Sequence, residues 1–181
     1  MEYRETVRLK DGRECILRHG TAEDARQVLD CFLRTHGQTD FLTSRPEEVT
    51  FTAEQEAVFL KNKAAAPDEA YILALVDGKL AGTAGIDRVG VYEKTKHRAV
   101  FGISVDRDLW SLGIGRALTH ACLRCAQAAG YVQLELEVVA DNKKALALYE
   151  SEGFREYGRN PRGFRSRGGG WQELVHMRLE L

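Results

Sequence analysis

The chain has 181 residues, of which 44% are hydrophobic, and a formal net charge of −1. This length and apolar content suffice for one core, and no linker or repeat divides the sequence, so we expect a single domain. The balanced charge disfavours nucleic acid or a membrane as a general partner. No apolar run approaches the ~18 residues of a membrane span. The N-terminus lacks a signal-peptide pattern, so we expect a cytoplasmic protein.

The four cysteines are too few and too scattered for a disulfide scaffold. Cys122 and Cys125 are two residues apart in a helical stripe, but no second Cys or His pair stands at zinc spacing. We therefore interpret both as small core residues and expect no metal.

The N-terminal part begins with a predicted hairpin and a helix. Segments 6–10 and 13–18 flank Asp11-Gly12, a dipeptide typical of two-residue hairpin turns. Thr21 and Asp24 form a capping-box pattern, which predicts a helix to about residue 36. The residues predicted to face inward on this helix are Ala25, Val28, Leu29 and Phe32.

A loop and a second helix are predicted next. The loop contains His36, Gly37, Phe41 and Pro46. The helix begins at Thr52 and ends before Pro67. Its residues predicted to face inward are Val58, Phe59 and Ala64.

A second hairpin follows, with strands at 70–76 and 80–87 around Asp77-Gly78. The connection 91–97 is polar. His97 in it could serve as a base, but a solvated loop histidine is the favoured interpretation.

A strand, a short loop and a helix start lie within residues 98–118. The apolar, β-branched run 100–105 predicts a buried strand. Gly113 and Gly115 are typical of a tight turn, but they also let the backbone approach a ligand, and the first N–H groups of a helix have no intrahelical partner. Such an arrangement binds phosphate. A dinucleotide fingerprint is disfavoured because Leu118 stands where a third glycine is required.

The helix that follows is predicted to extend to Ala129 and to lead into a strand at 132–139. Its predicted core stripe consists of Leu118, Ala121, Cys122, Cys125 and Ala129. Together with the strand at 98–105, these elements form a βαβ unit whose strands run in parallel. We expect a ligand at the carboxyl ends of the two strands.

A last helix is predicted from a cap at Asp141 or Asn142 to about Glu152, where Gly153 stops it. Asn142, Ala145 and Tyr149 recur at three- and four-residue intervals. They therefore share one face of this helix.

Two C-terminal strands, 154–159 and 171–180, enclose a basic segment. Its five arginines are Arg155, Arg159, Arg162, Arg165 and Arg167. A solvated, mobile hairpin is the favoured interpretation. The alternative is a basic loop that contacts an acidic substrate, RNA or the phosphates of a cofactor.

Residues 101–154 carry two motifs that belong together in one known family. The first is the pair Gly113-Ile-Gly115 before a helix, and the second is Leu136-Glu-Val-Val-Ala-Asp-Asn-Lys-Lys-Ala-Leu-Ala-Leu-Tyr-Glu-Ser-Glu-Gly-Phe154. This segment resembles the core of the GCN5-related N-acetyltransferases (GNAT). Trp110 stands where that family usually has Gln or Arg, which alters one side-chain contact.

The resemblance implies an α/β fold with a strongly twisted, mixed and mostly antiparallel sheet flanked by helices on both faces. It divides residues 1–181, a single N-acetyltransferase domain, into three parts. Residues 1–66 supply the hairpin and the acceptor-side helices, residues 98–154 the acetyl-CoA-binding core, and residues 155–181 the C-terminal strands.

The resemblance also implies a binding site for acetyl-CoA as cosubstrate. Its pantetheine arm is expected along the backbone of Ile103, Ser104 and Val105. Backbone N–H groups are expected to hold the pyrophosphate at Ser111, Leu112, Gly113, Ile114, Gly115 and Arg116. Asn142, Ala145 and Tyr149 are expected to complete the site from the last helix.

Two residues are expected to be catalytic. Tyr149 aligns with the family's tyrosine that donates a proton or hydrogen bond to the departing sulfur; packing in the core is the alternative. Glu137 aligns with the glutamate that accepts the amine proton in the ribosomal-protein alanine N-acetyltransferase branch. It also alternates with Leu136 and Val138, so it is equally consistent with the solvated face of a strand.

The function implied is transfer of an acetyl group from acetyl-CoA to a primary amine by direct attack in a ternary complex. The alternatives are a non-catalytic coenzyme A binding or sensor module on the same fold, and a nucleic-acid binding protein that uses the arginines. The acceptor stays open among a protein N-terminus, a lysine, a polyamine, an aminoglycoside and another small amine. A homodimer also stays open.

Overall fold

The computed structural model describes residues 3–181, and within them eight strands form one sheet. The strands are β1 (Arg4–Arg8), β2 (Glu14–His19), β3 (Ala70–Val76), β4 (Lys79–Arg88), β5 (Arg98–Val105), β6 (Gln133–Val139), β7 (Arg155–Arg165) and β8 (Trp171–Glu180). Their order is β1-β2-β3-β4-β5-β6-β8-β7, and β5 and β6 are the one parallel pair in this described sheet. The predicted mixed, mostly antiparallel sheet is confirmed.

Helices cover both faces of the sheet, as predicted. α1 (Ala25–Gln38) and α2 (Ala53–Ala65) lie on one face, and α3 (Ile114–Ala128) and α4 (Lys143–Ser151) on the other. Successive side chains of a strand point to opposite faces. Accordingly, Leu73 of β3 packs with α1 and α2, whereas its neighbours Ile72 and Ala74 belong to the larger cluster with α3 and α4.

The prediction that Cys122 and Cys125 lie on the core-facing stripe of α3 is also confirmed. Cys122 and Cys125 are free, buried thiols in the larger cluster. Burial raises the pKa of the Cys125 thiol to about 11. A thiol held in its neutral form by an apolar environment is inert, in keeping with a packing role. Among residues 3–181, no helix is long and apolar enough to cross a membrane.

The end of α1 differs from the prediction. His36 and Gly37 were predicted in a loop, but α1 continues through both to Gln38. The His36 ring stacks on Phe32 with centroids 3.6 Å apart, and His36 Nδ1 donates to the Phe32 carbonyl at 2.9 Å. This pairing one helical turn apart buries the imidazole and stabilises the extra turn.

The rotation of α2 also differs from the prediction. Thr52 caps the helix as predicted, but Val58 is 58% and Phe59 38% exposed, and Ala64 is exposed as well. Leu60 is buried instead, together with Lys63. Lys63 Nζ donates to Glu69, just beyond the end of the helix, at 2.9 Å and also to Asp87 of β4, so these ion pairs turn that side of the helix inward.

The arginine-rich segment forms a solvent-exposed hairpin, as predicted, but its first strand does not end at Arg159. β7 extends to Arg165 because it keeps pairing with β8 there, where Arg165 faces Trp171. The guanidinium groups of Arg162 and Arg165 also lie 5.8 and 5.7 Å from the Trp171 ring centroid. Such cation–π contacts add to the pairing of the strands.

Candidate active site

The candidate site begins where the two parallel strands part. β5 and β6 pair over three positions, the last of which joins Val100 to Glu135. β5 then continues to Val105 and β6 to Val139 without pairing with each other. A cleft thus opens at the carboxyl ends of both strands, which is where ligands of α/β sheets bind.

A cavity of about 500 Å³ occupies this cleft. The predicted cofactor-binding residues that line it are Ile103, Ser104, Val105, Ser111, Gly113, Gly115, Arg116, Asn142, Ala145 and Tyr149. The side chains of Leu112 and Ile114 belong instead to the larger core cluster. Lining the cavity does not by itself show cofactor binding, so the roles of all twelve residues stay predictions.

The loop before α3 presents a row of unpaired backbone donors. Ser111 and Gly113 adopt positive φ angles of 67° and 103°. None of the N–H groups from Ser111 to Arg116 donates a hydrogen bond to any residue from 3 to 181. Consecutive free N–H groups at a helix start form an anion site, because they add to the positive end of the helix dipole.

Trp110 closes one wall of the cavity. Its indole Nε1 donates to the Val105 carbonyl at 2.8 Å, which fixes the ring against the end of β5. Lys144 Nζ lies 5.8 Å from the ring centroid. Trp110, the residue that departs from the family pattern, therefore packs against the end of β5 and forms part of the cavity wall.

Asn142 forms the start of α4 and places the helix against the cavity. Its side-chain oxygen accepts a hydrogen bond from the Ala145 N–H at 3.3 Å. Asn142, Ala145 and Tyr149 all line the cavity, so the shared helix face inferred from their spacing is the one that borders the cleft.

Tyr149 is 7% exposed and its ring lies edge-on to Phe101, with centroids 6.1 Å apart. No residue from 3 to 181 forms a hydrogen bond with its hydroxyl. Burial raises the pKa of this hydroxyl well above its ordinary value. A neutral O–H donor without a protein partner therefore borders the cavity.

Glu137 and Tyr149 lie on opposite sides of β6. Leu136 and Val138 belong to the larger cluster with Tyr149, whereas Glu137 points to the other face of the sheet. There Glu137 Oε1 lies 3.2 Å from Nδ1 of His176, its partner on β8. Glu137 is not among the residues that line the cavity.

The family assignment rests on a match to the model of the Acetyltransferase (GNAT) family over residues 34–154. These residues include every segment that lines the cavity except the N-terminal hairpin. The chain belongs to the GNAT family. The resemblance inferred from the two motifs is thus confirmed.

Individual GNAT proteins are similar over parts of the chain. N-alpha-acetyltransferase RimI of Mycobacterium tuberculosis is 39% identical over 58% of this chain and 63% of its own length. The ribosomal protein bS18-alanine N-acetyltransferase of Escherichia coli is 42% identical over 44% of this chain and 51% of its own length. The chain thus spans between half and two thirds of these curated relatives.

One solved GNAT structure matches nearly the whole fold. It is an acetyltransferase of the GNAT family from Streptococcus pneumoniae, with a TM-score of 0.88 and 27% identity. The match covers 92% of this chain and 99% of that one. The fold prediction is therefore confirmed along the sheet and its helices.

Several cavity residues of this GNAT chain carry no signal in the sequence. Lys10 reaches the cavity from the first hairpin, and Thr39, Phe41 and Leu42 reach it from the loop after α1. An irregular loop has no periodicity that predicts where its side chains point. Lys144 had one available signal, its position two residues after the capping Asn142 in the family motif.

Proposed function

We propose that this chain transfers an acetyl group from acetyl-CoA to a primary amine by direct attack in a ternary complex. The observation that supports this most is the row of free N–H groups from Ser111 to Arg116, on the same cavity as the Tyr149 hydroxyl. The volume of about 500 Å³ is also typical of small-molecule sites.

Binding would use mainly the backbone. The N–H groups from Ser111 to Arg116 would hold the pyrophosphate, since they have no acceptor among residues 3–181. Among residues 3–181, β5 beyond Val100 has no strand partner on its β6 side, so the amides on that side are free to hydrogen-bond with the pantetheine arm. The positive charges of Arg116 and Lys144, which both line the cavity, complement an anionic ligand.

The transfer forms one bond and breaks another. The amine nitrogen attacks the thioester carbon, the C–N bond forms, the C–S bond breaks and the sulfur leaves as a thiolate. A backbone N–H of β5 would polarise the carbonyl oxygen. Tyr149 would donate a hydrogen bond to the sulfur. Because burial raises the pKa of its hydroxyl, stabilising the thiolate is easier for Tyr149 than giving up the proton.

Glu137 is our proposed acceptor of the amine proton. Its carboxylate is half-exposed on the side of β6 opposite the cavity, so a water would carry the proton between amine and carboxylate. A base matters most for a lysine-like amine, whose pKa near 10.4 leaves little neutral amine at pH 7, and less for an α-amino group near pKa 8.

The test is an acceptor screen with acetyl-CoA that follows free thiol and identifies the N-acetyl product by mass spectrometry. The panel contains peptides with a free N-terminus, lysine, a polyamine, an aminoglycoside and simple amines. We expect an N-acetyl product with at least one class and no thiol release without an amine. Tight acetyl-CoA binding without any product would favour the coenzyme A sensor module instead.

A further inference from the structure

A second cavity, of about 320 Å³, adjoins the first. Thr39 and Leu42 line both cavities, so the two are continuous along the loop after α1. The opposite wall of the second cavity is the end of β7 and the turn to β8. The cavity therefore lies where an acceptor would extend beyond the reacting amine.

Two segments distant in sequence form this cavity, and Asp40 joins them. Its carboxylate accepts a hydrogen bond from the Arg167 backbone N–H at 2.9 Å, and its carbonyl accepts one from Gln172 at 3.1 Å. The Arg167 guanidinium lies 3.6 Å from the same carboxylate. The charges of Asp40 and Arg167 thus compensate each other.

Two other arginines that line the cavity, Arg45 and Arg165, have no such compensation of their charge. Arg45 donates to the Arg165 carbonyl at 3.3 Å, and Arg165 lies over Trp171. In the part of the chain that the structure describes, neither forms an ion pair with a carboxylate, unlike Arg159 and Arg167.

The remaining acid of the cavity is already engaged. Glu48 accepts the backbone N–H of Arg45 at 2.8 Å, which caps a short turn. Its carboxylate is bound to the backbone and not to either guanidinium. Three arginines of the lining outnumber its two acids, Asp40 and Glu48, so the cavity presents a local excess of positive charge to a ligand.

We propose that the acceptor amine carries an anionic group, a carboxylate or a phosphate, which binds between Arg45 and Arg165. This inference rests on the proposed function and narrows its acceptor class. Guanidinium groups match the geometry of both anions and bind them through paired, charge-assisted hydrogen bonds. A polyamine would place like charge against the two arginines, so the same feature selects against it.

The experiment compares acceptors that share one amine and differ in the anion. Ethanolamine, β-alanine and O-phosphoethanolamine form one series, and the amides of alanyl-glutamine and alanyl-glutamate form a longer pair. We expect kcat/KM to be roughly tenfold or more higher for an anionic member, the size of a charge-assisted contact. The preference should shrink as ionic strength rises.

The variant Arg165→Gln has a matched control in Arg162→Gln. Both guanidinium groups lie over Trp171, at 5.7 and 5.8 Å, but only Arg165 lines the cavity. Arg165→Gln should remove most of the preference for the anionic member, and Arg162→Gln should leave it intact. Arg45→Gln serves as a second variant on the other wall.

Calorimetry with glutarate and with inorganic phosphate tests the site without turnover. We expect at least one probe to bind the wild type and to bind Arg165→Gln more weakly by roughly tenfold; which probe binds tells a carboxylate from a phosphate. Absence of binding by both, or a preference that survives both Arg45→Gln and Arg165→Gln, overturns the inference. If the probes bind but no amine yields a product, the acetyltransferase function fails while the anion site stands.

Discussion

The two walls of the site are built by different means. The wall formed by β5, α3 and α4 comes from a continuous stretch of chain, and its main polar feature is the row of free backbone N–H donors between Ser111 and Arg116. The wall around the second cavity joins Asp40 to Arg167, which are 127 residues apart in the sequence. Its polar groups are mainly side chains, which come from the loop after α1 and from the hairpin of β7 and β8.

This difference separates the site for the cosubstrate, which the whole family shares, from the site that selects the acceptor. A backbone site depends on chain conformation and tolerates most side chains, so it suits a cosubstrate that a whole family uses. A side-chain site changes with each substitution, so it suits choice among acceptors. Substitutions in the first wall should therefore affect every acceptor equally, and those in the second should change the ranking of acceptors.

Glu137→Gln should give the largest effect, although Glu137 lies outside the cavity. If Glu137 accepts the amine proton, turnover near pH 7 should fall by about 10²–10⁴-fold, the size of a general-base contribution. The loss should shrink as pH rises, because more of the amine is then already neutral. The measurement is a pH–rate profile with one amine at saturating acetyl-CoA.

Glu180→Gln is the matched control, since Glu180 is an exposed carboxylate of β8 and pairs with Gln133 of the same strand as Glu137. It should leave the profile unchanged. An equal loss at every pH for Glu137→Gln would instead assign Glu137 to substrate positioning, and no loss would leave it as an ordinary solvated residue.

Tyr149→Phe should give the next largest effect and tests the first wall. Turnover should drop by about 10–1000-fold, since a hydrogen bond to a developing thiolate in a dry site is lost, while acetyl-CoA affinity and melting temperature should hardly change. Tyr131→Phe is the control, because Tyr131 is buried in the same cluster but does not line the cavity. Unchanged turnover in Tyr149→Phe would make Tyr149 a packing residue.

Much of the first wall could be predicted from the sequence, because its features are local. The spacing of Asn142, Ala145 and Tyr149 determines their shared helix face, and Gly113 marks the left-handed turn before α3. The family motif also indicated Glu137, but the sequence does not show how a proton would pass from the cavity to the opposite side of β6.

The second wall could not be predicted in this way, because non-local contacts determine it. The rotation of α2 also depends on a non-local contact, the pair of Lys63 with Asp87 of β4, whereas hydrophobicity alone favoured Val58 and Phe59 instead of Leu60. Asp40 and Arg167, which join the two segments of the second wall, are 127 residues apart, so no window of sequence from which helices and strands are predicted contains both.

Gly115→Val should weaken coenzyme A binding by about tenfold or more, with a smaller effect on the fold. The change crowds the free N–H groups, because a branched side chain lies where the pyrophosphate must approach the backbone. A Cβ at Gly115 would already lie 3.4 Å from Leu148 of α4, so Gly115→Ala should give an intermediate loss. If calorimetry shows unchanged coenzyme A affinity in a folded Gly115→Val variant, the phosphates bind elsewhere.

Asp106 joins the end of β5 to α1, and its replacement should give the smallest effect on activity. It follows β5, and its carboxylate accepts hydrogen bonds from Arg34 at 2.6 Å and Gln38 at 2.9 Å, both on α1. Burial alone would raise the pKa of Asp106, but these hydrogen bonds outweigh it and hold the pKa below its ordinary value. The carboxylate therefore stabilises the folded chain when it is ionised.

Asp106→Asn should lower the free energy of unfolding at pH 7 by about 1.5–3 kcal/mol, the contribution of hydrogen bonds to a charged group. Because the folded pKa lies below the unfolded value near 3.9, this contribution is complete above about pH 5 and is lost as the pH falls through the folded pKa. Urea unfolding at several pH values should show wild type and variant converging in acid. Asp108→Asn removes an exposed carboxylate two residues away and should change little. If the difference in unfolding free energy between wild type and Asp106→Asn stays constant down to pH 3, the amide disturbs packing. The charge of Asp106 would then not hold α1 to the end of β5.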